Sequence, residues 1–270
     1  IQTTGSLEQG RGTLAVVPRT IEYNRKRMKD VGADAFFGFH GPGAELSDLL
    51  GATWRLSNQK WPTFEKKAPP KIVDGAASWV KERFRGYAPD WTQNIVNTQI
   101  NHYDKFPKWA RKEEPEGATS LKDDRYFWDF FGNLIKLNKL RFPHMKQRIY
   151  DPMWEVNLNH PEVACAKPDY VAEDIVRLYA DARKVVDAED PGAWLVGPNC
   201  SSPIENFDWN EPVFKAGLFK YVDAYNCHGY HPPPPEEAQV REKIRSLKKM
   251  IKTYNNGQPV PLICTELGYR

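Results

Sequence analysis

Short runs of β-branched and aromatic residues alternate with amphipathic helical stretches along almost the whole chain. This alternation constrains the fold more than any other feature, because strand, helix and strand in repetition is the pattern of a parallel sheet. The strand runs are Ala35–His40 (AFFGFH), Ala52–Asn58 (ATWRLSN), Asn94–Asn101 (NIVNTQIN), Met153–Asn159 (MWEVNLN), Trp194–Cys200 (WLVGPNC), Val222–Tyr230 (VDAYNCHGY) and Val260–Tyr269 (VPLICTELGY). Between them, helices are expected at Gly43–Leu50, Ala76–Arg85, Asp124–Leu137, Tyr170–Asp187, Pro212–Tyr221 and Pro235–Tyr254. In Tyr170–Asp187 the residues Ile175, Leu178, Tyr179, Ala182, Val185 and Val186 keep helical spacing, and Pro191-Gly192 ends the unit.

Seven such units in a chain of 270 residues predict an α/β fold, a (β/α)8 barrel rather than an open doubly wound sheet. No Gly-rich phosphate loop follows the first strand. A standard barrel has eight strands. The eighth either lies outside this chain or is supplied by the N-terminal run Thr13–Val17 (TLAVV), followed by the helix-like Thr20–Asp30. The expected organisation is an N-terminal extension at 1–34 and a barrel at 35–270, which suits the length.

Composition removes several function classes. A hydrophobic fraction of 40% with 27% charged residues is ordinary for a globular chain, not a disordered one. The 38 Lys and Arg against 35 Asp and Glu leave a net charge of +3, spread along the chain, so binding to nucleic acid is not expected. No uninterrupted apolar run approaches the about 18 residues of a membrane span. The chain opens Ile-Gln-Thr-Thr with neither a signal peptide nor an initiator Met, which suggests a trimmed or partial chain. Its compartment is left open. Cys165, Cys200, Cys227 and Cys264 are far apart in sequence, without C-x-x-C spacing, and read as small buried hydrophobes rather than zinc ligands or a disulfide framework. The 9 Trp, 12 Tyr and 13 Phe supply the flat rings with which proteins grip sugars, although core packing accounts for many of them.

In a barrel the reacting groups project from the C-terminal ends of the strands. The last run places Thr265-Glu266 at the end of an apolar strand, where a carboxylate needs a partner or a task. The sixth ends His228-Gly229-Tyr230, with His228 and Tyr230 alternating onto one face. The fourth reads Trp154-Glu155-Val156-Asn157-Leu158-Asn159-His160-Pro161, and His40 and His102 end the first and third. Carboxylates on strands four and seven are what glycoside hydrolysis requires, one as nucleophile and the other as acid and then base. Among the six histidines there is no H-E-x-x-H or H-x-H pairing, so no metal site is expected, and no cofactor is implied. Asn210-Glu211-Pro212 reads as a helix start, with Asn210 as cap. The basic stretch Arg241–Lys252 reads as a solvated helix face.

Taken together, Leu50-Gly51-Ala52-Thr53-Trp54-Arg55, Phe106-Pro107-Lys108-Trp109, Trp154-Glu155-Val156, Ala193–Pro198, Asp223 with His228-Gly229-Tyr230, and Thr265-Glu266-Leu267-Gly268 resemble clan A glycoside hydrolases of the family 39 type, over residues 35–270. The resemblance implies a retaining glycosidase acting on an oligo- or polysaccharide. It makes Glu266 the nucleophile and Arg55 and Tyr230 its electrostatic and hydrogen-bonding neighbours, with His228, Trp109 and Trp54 lining the pocket. His102 and Asn159 are further pocket candidates. Where such families carry Asn-Glu-Pro at the end of strand four, with that Glu as acid/base, this chain has Asn159-His160-Pro161. Three residues are candidates for the missing acid/base: His160, Glu155 and Glu162. The alternatives are a carbohydrate-binding pseudoenzyme, and a barrel lyase or isomerase with Glu266 as base.

Overall fold

The structure is a computed structural model. It describes residues 2–3, 14–15, 38–40, 54–59, 61–68, 80, 94–100, 107–110, 122–143, 147–152, 155, 157, 172–201, 207–229 and 239–266; for 2–3, 14–15, 38–40, 54–59, 94–100 and 147 it describes the backbone alone. Near the N-terminus β1 (Gln2–Thr3) pairs antiparallel with β2 (Leu14–Ala15), inside the run Thr13–Val17. Among the described residues neither strand pairs with the larger sheets.

Five strands follow in chain order, each parallel to the next: β3 (Gly38–His40), β4 (Trp54–Gln59), β5 (Asn94–Ile100), β6 (Gln147–Asp151) and β7 (Trp194–Leu195). A second parallel sheet holds β8 (Cys200–Ser201), β9 (Tyr225–His228) and β10 (Leu262–Glu266). A single bridge, Val196 to Ala224, joins the two sheets. β7 and β8 are therefore the two ends of one passage of chain, and the strands run consecutively from β3 to β10. This is the mixed α/β, sequential parallel order that the alternation predicts. Among the described residues β10 does not pair with β3, so the closed barrel expected from the sequence is not seen. The described residues hold seven strand passages, where a standard barrel takes eight.

The helices cover one face. α1 (Trp61–Phe64) is a single turn, α2 is Arg125–Arg141, α3 Ala172–Glu189, α4 Phe207–Lys215 and α5 Val240–Tyr254. On α2 the residues Phe127, Phe130, Phe131, Leu134 and Ile135 recur at helical spacing and are buried, each side chain worth about 1.5–3 kcal/mol in transfer from water. They meet Tyr150, Leu195 and Tyr225 from the sheet in the main core. The alternate strand residues Ile149, Val196 and Ala224, with Trp194 and Ile263, form a separate small cluster. The strands thus bury both faces, as parallel strands do. No helix among the described residues is long and apolar enough to cross a membrane.

Three expectations are corrected. The fourth strand is Gln147–Asp151 and not Met153–Asn159. Pro152 has no N–H for a central ladder, and Glu155 adopts φ 39°, which is incompatible with a strand. The run Trp194–Cys200 is interrupted at 196–199. The helix expected at Pro212–Tyr221 starts at Phe207 and ends at Lys215, where Gly217, in left-handed φ 98°, leads into a separate 3-10 turn at Leu218–Lys220. Gly43–Leu50 and Thr20–Asp30 lie outside the described residues, and of Ala76–Arg85 only Val80 is described, helical and buried.

Candidate active site

Three side chains meet beyond the C-terminal ends of β6, β9 and β10. β6 stops at Asp151, so Glu155 lies on the loop that follows, at the end of the sheet where barrel chemistry is built. Its left-handed backbone turns that loop, and its N–H donates to Asn199 Oδ1 at 3.4 Å. Two residues on, Asn157 clamps the loop to β8, because its Nδ2 donates to the Ser201 carbonyl at 2.7 Å and the Ser201 N–H donates to its Oδ1 at 2.7 Å.

His228 ends β9 and Glu266 ends β10. The register between the strands shifts after Cys264, so that Thr265 is the extra residue and Glu266 stands opposite His228. The bulge lets two successive residues serve the same end of the sheet. The Thr265 hydroxyl donates to Asn226 Oδ1 at 2.9 Å, and Asn226 Nδ2 donates to Asp151 Oδ2. Asp151 is fully buried and also accepts the Tyr179 hydroxyl at 3.2 Å. Tyr179 reaches it from α3 by passing over Gly197, where a Cβ would stand 2.1 Å from the hydroxyl oxygen. Asp151, Asn226 and Thr265 are thus a hydrogen-bonded layer beneath the three site residues.

In the site itself His228 Nδ1 lies 2.8 Å from Glu155 Oε1 and 3.4 Å from Glu266 Oε2. All three side chains are withdrawn from solvent, with His228 at 0% exposure, Glu155 at 7% and Glu266 at 11%. An imidazole carrying its proton on Nδ1 donates it to Glu155. Burial strengthens such an interaction and makes its loss costly. One ligand atom from each of the three lies within 4.8 Å of the others, and no other such group of His, Cys, Asp or Glu occurs among the described residues. A cation placed there would meet all three side chains, and so would the reacting centre of a substrate held between the two carboxylates.

Of the residues singled out in the sequence, the structure brings together Glu155, His228 and Glu266. Trp109, on the 3-10 turn Lys108–Ala110, is engaged elsewhere: its ring packs edge-on against Trp61 at 5.6 Å and Tyr126 at 5.2 Å, and its N–H donates to the Glu65 carbonyl at 3.0 Å. Trp54 and Arg55 lie on β4 opposite Gly38 and Phe39, with only their backbone described. His102, Asn159, His160, Glu162 and Tyr230 lie outside the described residues. Asn210 does not cap a helix. It is buried within α4 and accepts the Tyr225 hydroxyl at 2.8 Å, so Asn210-Glu211-Pro212 is a structural element. Sequence reasoning missed Asp151, Asn157, Asn199 and Asn226. Asn226 alternates with His228 in one run and was open to detection by period two; Asp151 was hidden by the misplaced fourth strand.

No family model matches the chain, and no curated protein does. Among solved structures the chain is similar to a family 39 glycoside hydrolase from the gut symbiont Bacteroides cellulosilyticus, at 17% identity and a TM-score of 0.53, over 86% of this chain and 48% of that one. It is also matched with a family 51 α-L-arabinofuranosidase from Bifidobacterium longum, at 12% identity and a TM-score of 0.39, over 66% of this chain and 37% of that one. A third match is a family 44 endoglucanase from Clostridium thermocellum, at 14% identity and a TM-score of 0.39, over 83% of this chain and 52% of that one. The chain spans about half or less of the length of these proteins. The likeness to the family 39 enzyme is one of fold.

Proposed function

We propose that the chain carries the active site of a retaining glycoside hydrolase acting on an oligo- or polysaccharide, with Glu266 as nucleophile and Glu155 as acid/base. The observation that carries this reading is the pair of carboxylates, Glu155 buried and Glu266 largely withdrawn from solvent, with His228 between them and an oxygen of each within 4.8 Å of the other. Retention places the two carboxyl groups about 5–5.5 Å apart, whereas inversion needs room for a water between them. Glu266 attacks the anomeric carbon while Glu155 protonates the departing glycosidic oxygen. Glu155 then takes a proton from the water that releases the sugar from Glu266. His228 holds Glu155 in place by hydrogen bond, and the layer of Asp151, Asn226 and Thr265 fixes the ends of β6, β9 and β10.

In this reading β3 to β10 are the successive strands of a (β/α)8 barrel at 35–270. The eighth strand comes from outside the chain or from the N-terminal extension at 1–34. Arg55, Trp54, His102, Asn159 and Tyr230 are assigned to the substrate pocket, and Trp109, packed on Trp61 and Tyr126, is left out of it. The Asn159-His160-Pro161 sequence favours one rival, a carbohydrate-binding pseudoenzyme, and makes His160 the competing acid/base.

Azide rescue on activated aryl glycosides separates these readings. Loss of a general acid/base costs about 10²–10⁴-fold in rate. Glu155→Ala is expected to lose rate on that scale and to recover it with azide, giving a glycosyl azide of retained configuration, while His160→Ala keeps most of its rate. Rescue in His160→Ala but not in Glu155→Ala would transfer the role to His160. No turnover by the wild-type chain, with oligosaccharide binding intact, would leave the pseudoenzyme.

A further inference from the structure

β8, β9 and β10 carry one cysteine each, and the register sets all three in a row, with Cys200 opposite Cys227 and Cys227 opposite Cys264. Residues paired across neighbouring parallel strands project to the same face, at a strand spacing of about 4.8 Å. That face is opposite the one served by Asn226 and His228, which alternate with Cys227 along β9. The ends of the row stand two strand spacings apart. No set of three groups that includes a cysteine gathers its ligand atoms among the described residues, so the row does not enclose an ion.

The three thiols are not equivalent. Cys200 is fully buried, with Sγ 3.7 Å from Asn210 Oδ1, and burial pushes its thiol well above the ordinary range. It stays protonated and inert. Cys227 is half-buried, its S–H donates to the Ile263 carbonyl at 3.5 Å, and its pairing with Cys264 together with burial holds its thiol well above the ordinary range. Cys264 is exposed. Its S–H donates to the Glu266 carbonyl at 3.1 Å, and its pairing with Cys227, opposed by partial burial and aided by the His228 imidazole, draws its thiol down to about 7. One strand pair thus sets an exposed cysteine, Cys264, directly opposite a half-buried one, Cys227.

We propose that Cys264 and Cys227 form a thiol–disulfide exchange site whose substrate is a small disulfide of the glutathione type, with Cys264 as the attacking thiol and Cys227 as the resolving one. The Cys264 thiolate attacks one sulfur of the small disulfide, the S–S bond breaks, and one thiolate leaves, giving a mixed disulfide on Cys264. Cys227 then loses its proton and attacks the Cys264 sulfur, expelling the second thiolate. The two cysteines give up two electrons and two protons, and the small disulfide becomes two thiols. Neighbouring parallel strands lie within the Cα separation of about 4.4–6.8 Å that a disulfide spans. The new bond joins β9 and β10 one residue before His228 and two before Glu266.

The reduced full chain is incubated with glutathione disulfide and followed by intact mass and peptide mapping. The wild type is expected to become lighter by two hydrogens, with a Cys227–Cys264 link and no modification of Cys200. Cys227→Ser is expected to stop one glutathione heavier, at Cys264, and Cys264→Ser to take up neither modification in the same time. A second measurement needs no variant: at neutral pH, iodoacetamide should alkylate Cys264 at least about tenfold faster than Cys200, as its larger thiolate fraction dictates. Absence of the link in the wild type, mixed disulfide formed preferentially at another cysteine, or unchanged reaction in Cys264→Ser would overturn the proposal.

Discussion

At the residue scale, the chemistry depends on side chains placed by backbone exceptions. Glu155 faces His228 because its φ of 39° turns the loop just after a proline ends β6. Tyr179 reaches Asp151 because Gly197 has no Cβ. These features were the least legible in the sequence, since neither a left-handed Glu nor a hydroxyl threading past a glycine leaves a periodic trace. Gly197→Ala tests the second feature. Its Cβ would collide with the Tyr179 ring and hydroxyl at 2.1–2.3 Å, and at φ +152° a side chain is strained as well. Overpacking of this kind costs about 1–3 kcal/mol. Tyr179→Phe removes only the hydroxyl and is expected to cost about 1.5–3 kcal/mol, as a lost hydrogen bond to a buried carboxylate does, a loss that Gly197→Ala shares by displacing the same hydroxyl. Urea unfolding of both variants should therefore rank Gly197→Ala as at least as destabilising as Tyr179→Phe; the reverse order would mean that the glycine is not the passage for the tyrosine.

At the element scale, the connection of α3 to β6 is electrostatic as well as apolar. Asp190, just past the end of α3, accepts from the Arg148 guanidinium and, at 2.7 Å, from the Tyr150 hydroxyl. Burial pushes the Asp190 carboxyl up, but the hydrogen bonds from Arg148 and Tyr150 outweigh it and hold the carboxyl below the ordinary value. A carboxyl depressed in the folded state contributes stability above its unfolded value of about 4, and that contribution is lost as pH falls below it. Asp190→Asn should thus lower Tm at pH 7, and the gap to the wild type should narrow below about pH 4; a gap independent of pH would assign the effect to packing. Element order was well legible, because α3 and the runs of β9 and β10 show clean periodicity. The fourth strand was misplaced because Trp154-Glu155-Val156 looks more strand-like than Gln147–Asp151, whose Arg148 is charged but spent on Asp190.

At the scale of the whole molecule, consecutive parallel strands place the C-terminal ends of β6, β9 and β10 side by side, so residues as distant in sequence as Glu155 and Glu266 meet at one imidazole. The parallel order was legible from alternation alone; the expected closure into a barrel was not, because seven passages do not specify an eighth, and none closes the sheet among the described residues. At this meeting point Glu266 is proposed to attack an anomeric carbon. The most direct test is mass spectrometry of the chain after incubation with activated 2-fluoro glycosides, which accumulate the covalent intermediate of a retaining enzyme. One fluorosugar is expected on the peptide that contains Glu266, and none in Glu266→Gln. A label on another carboxylate, or turnover of the parent glycosides with no label at all, would contradict it.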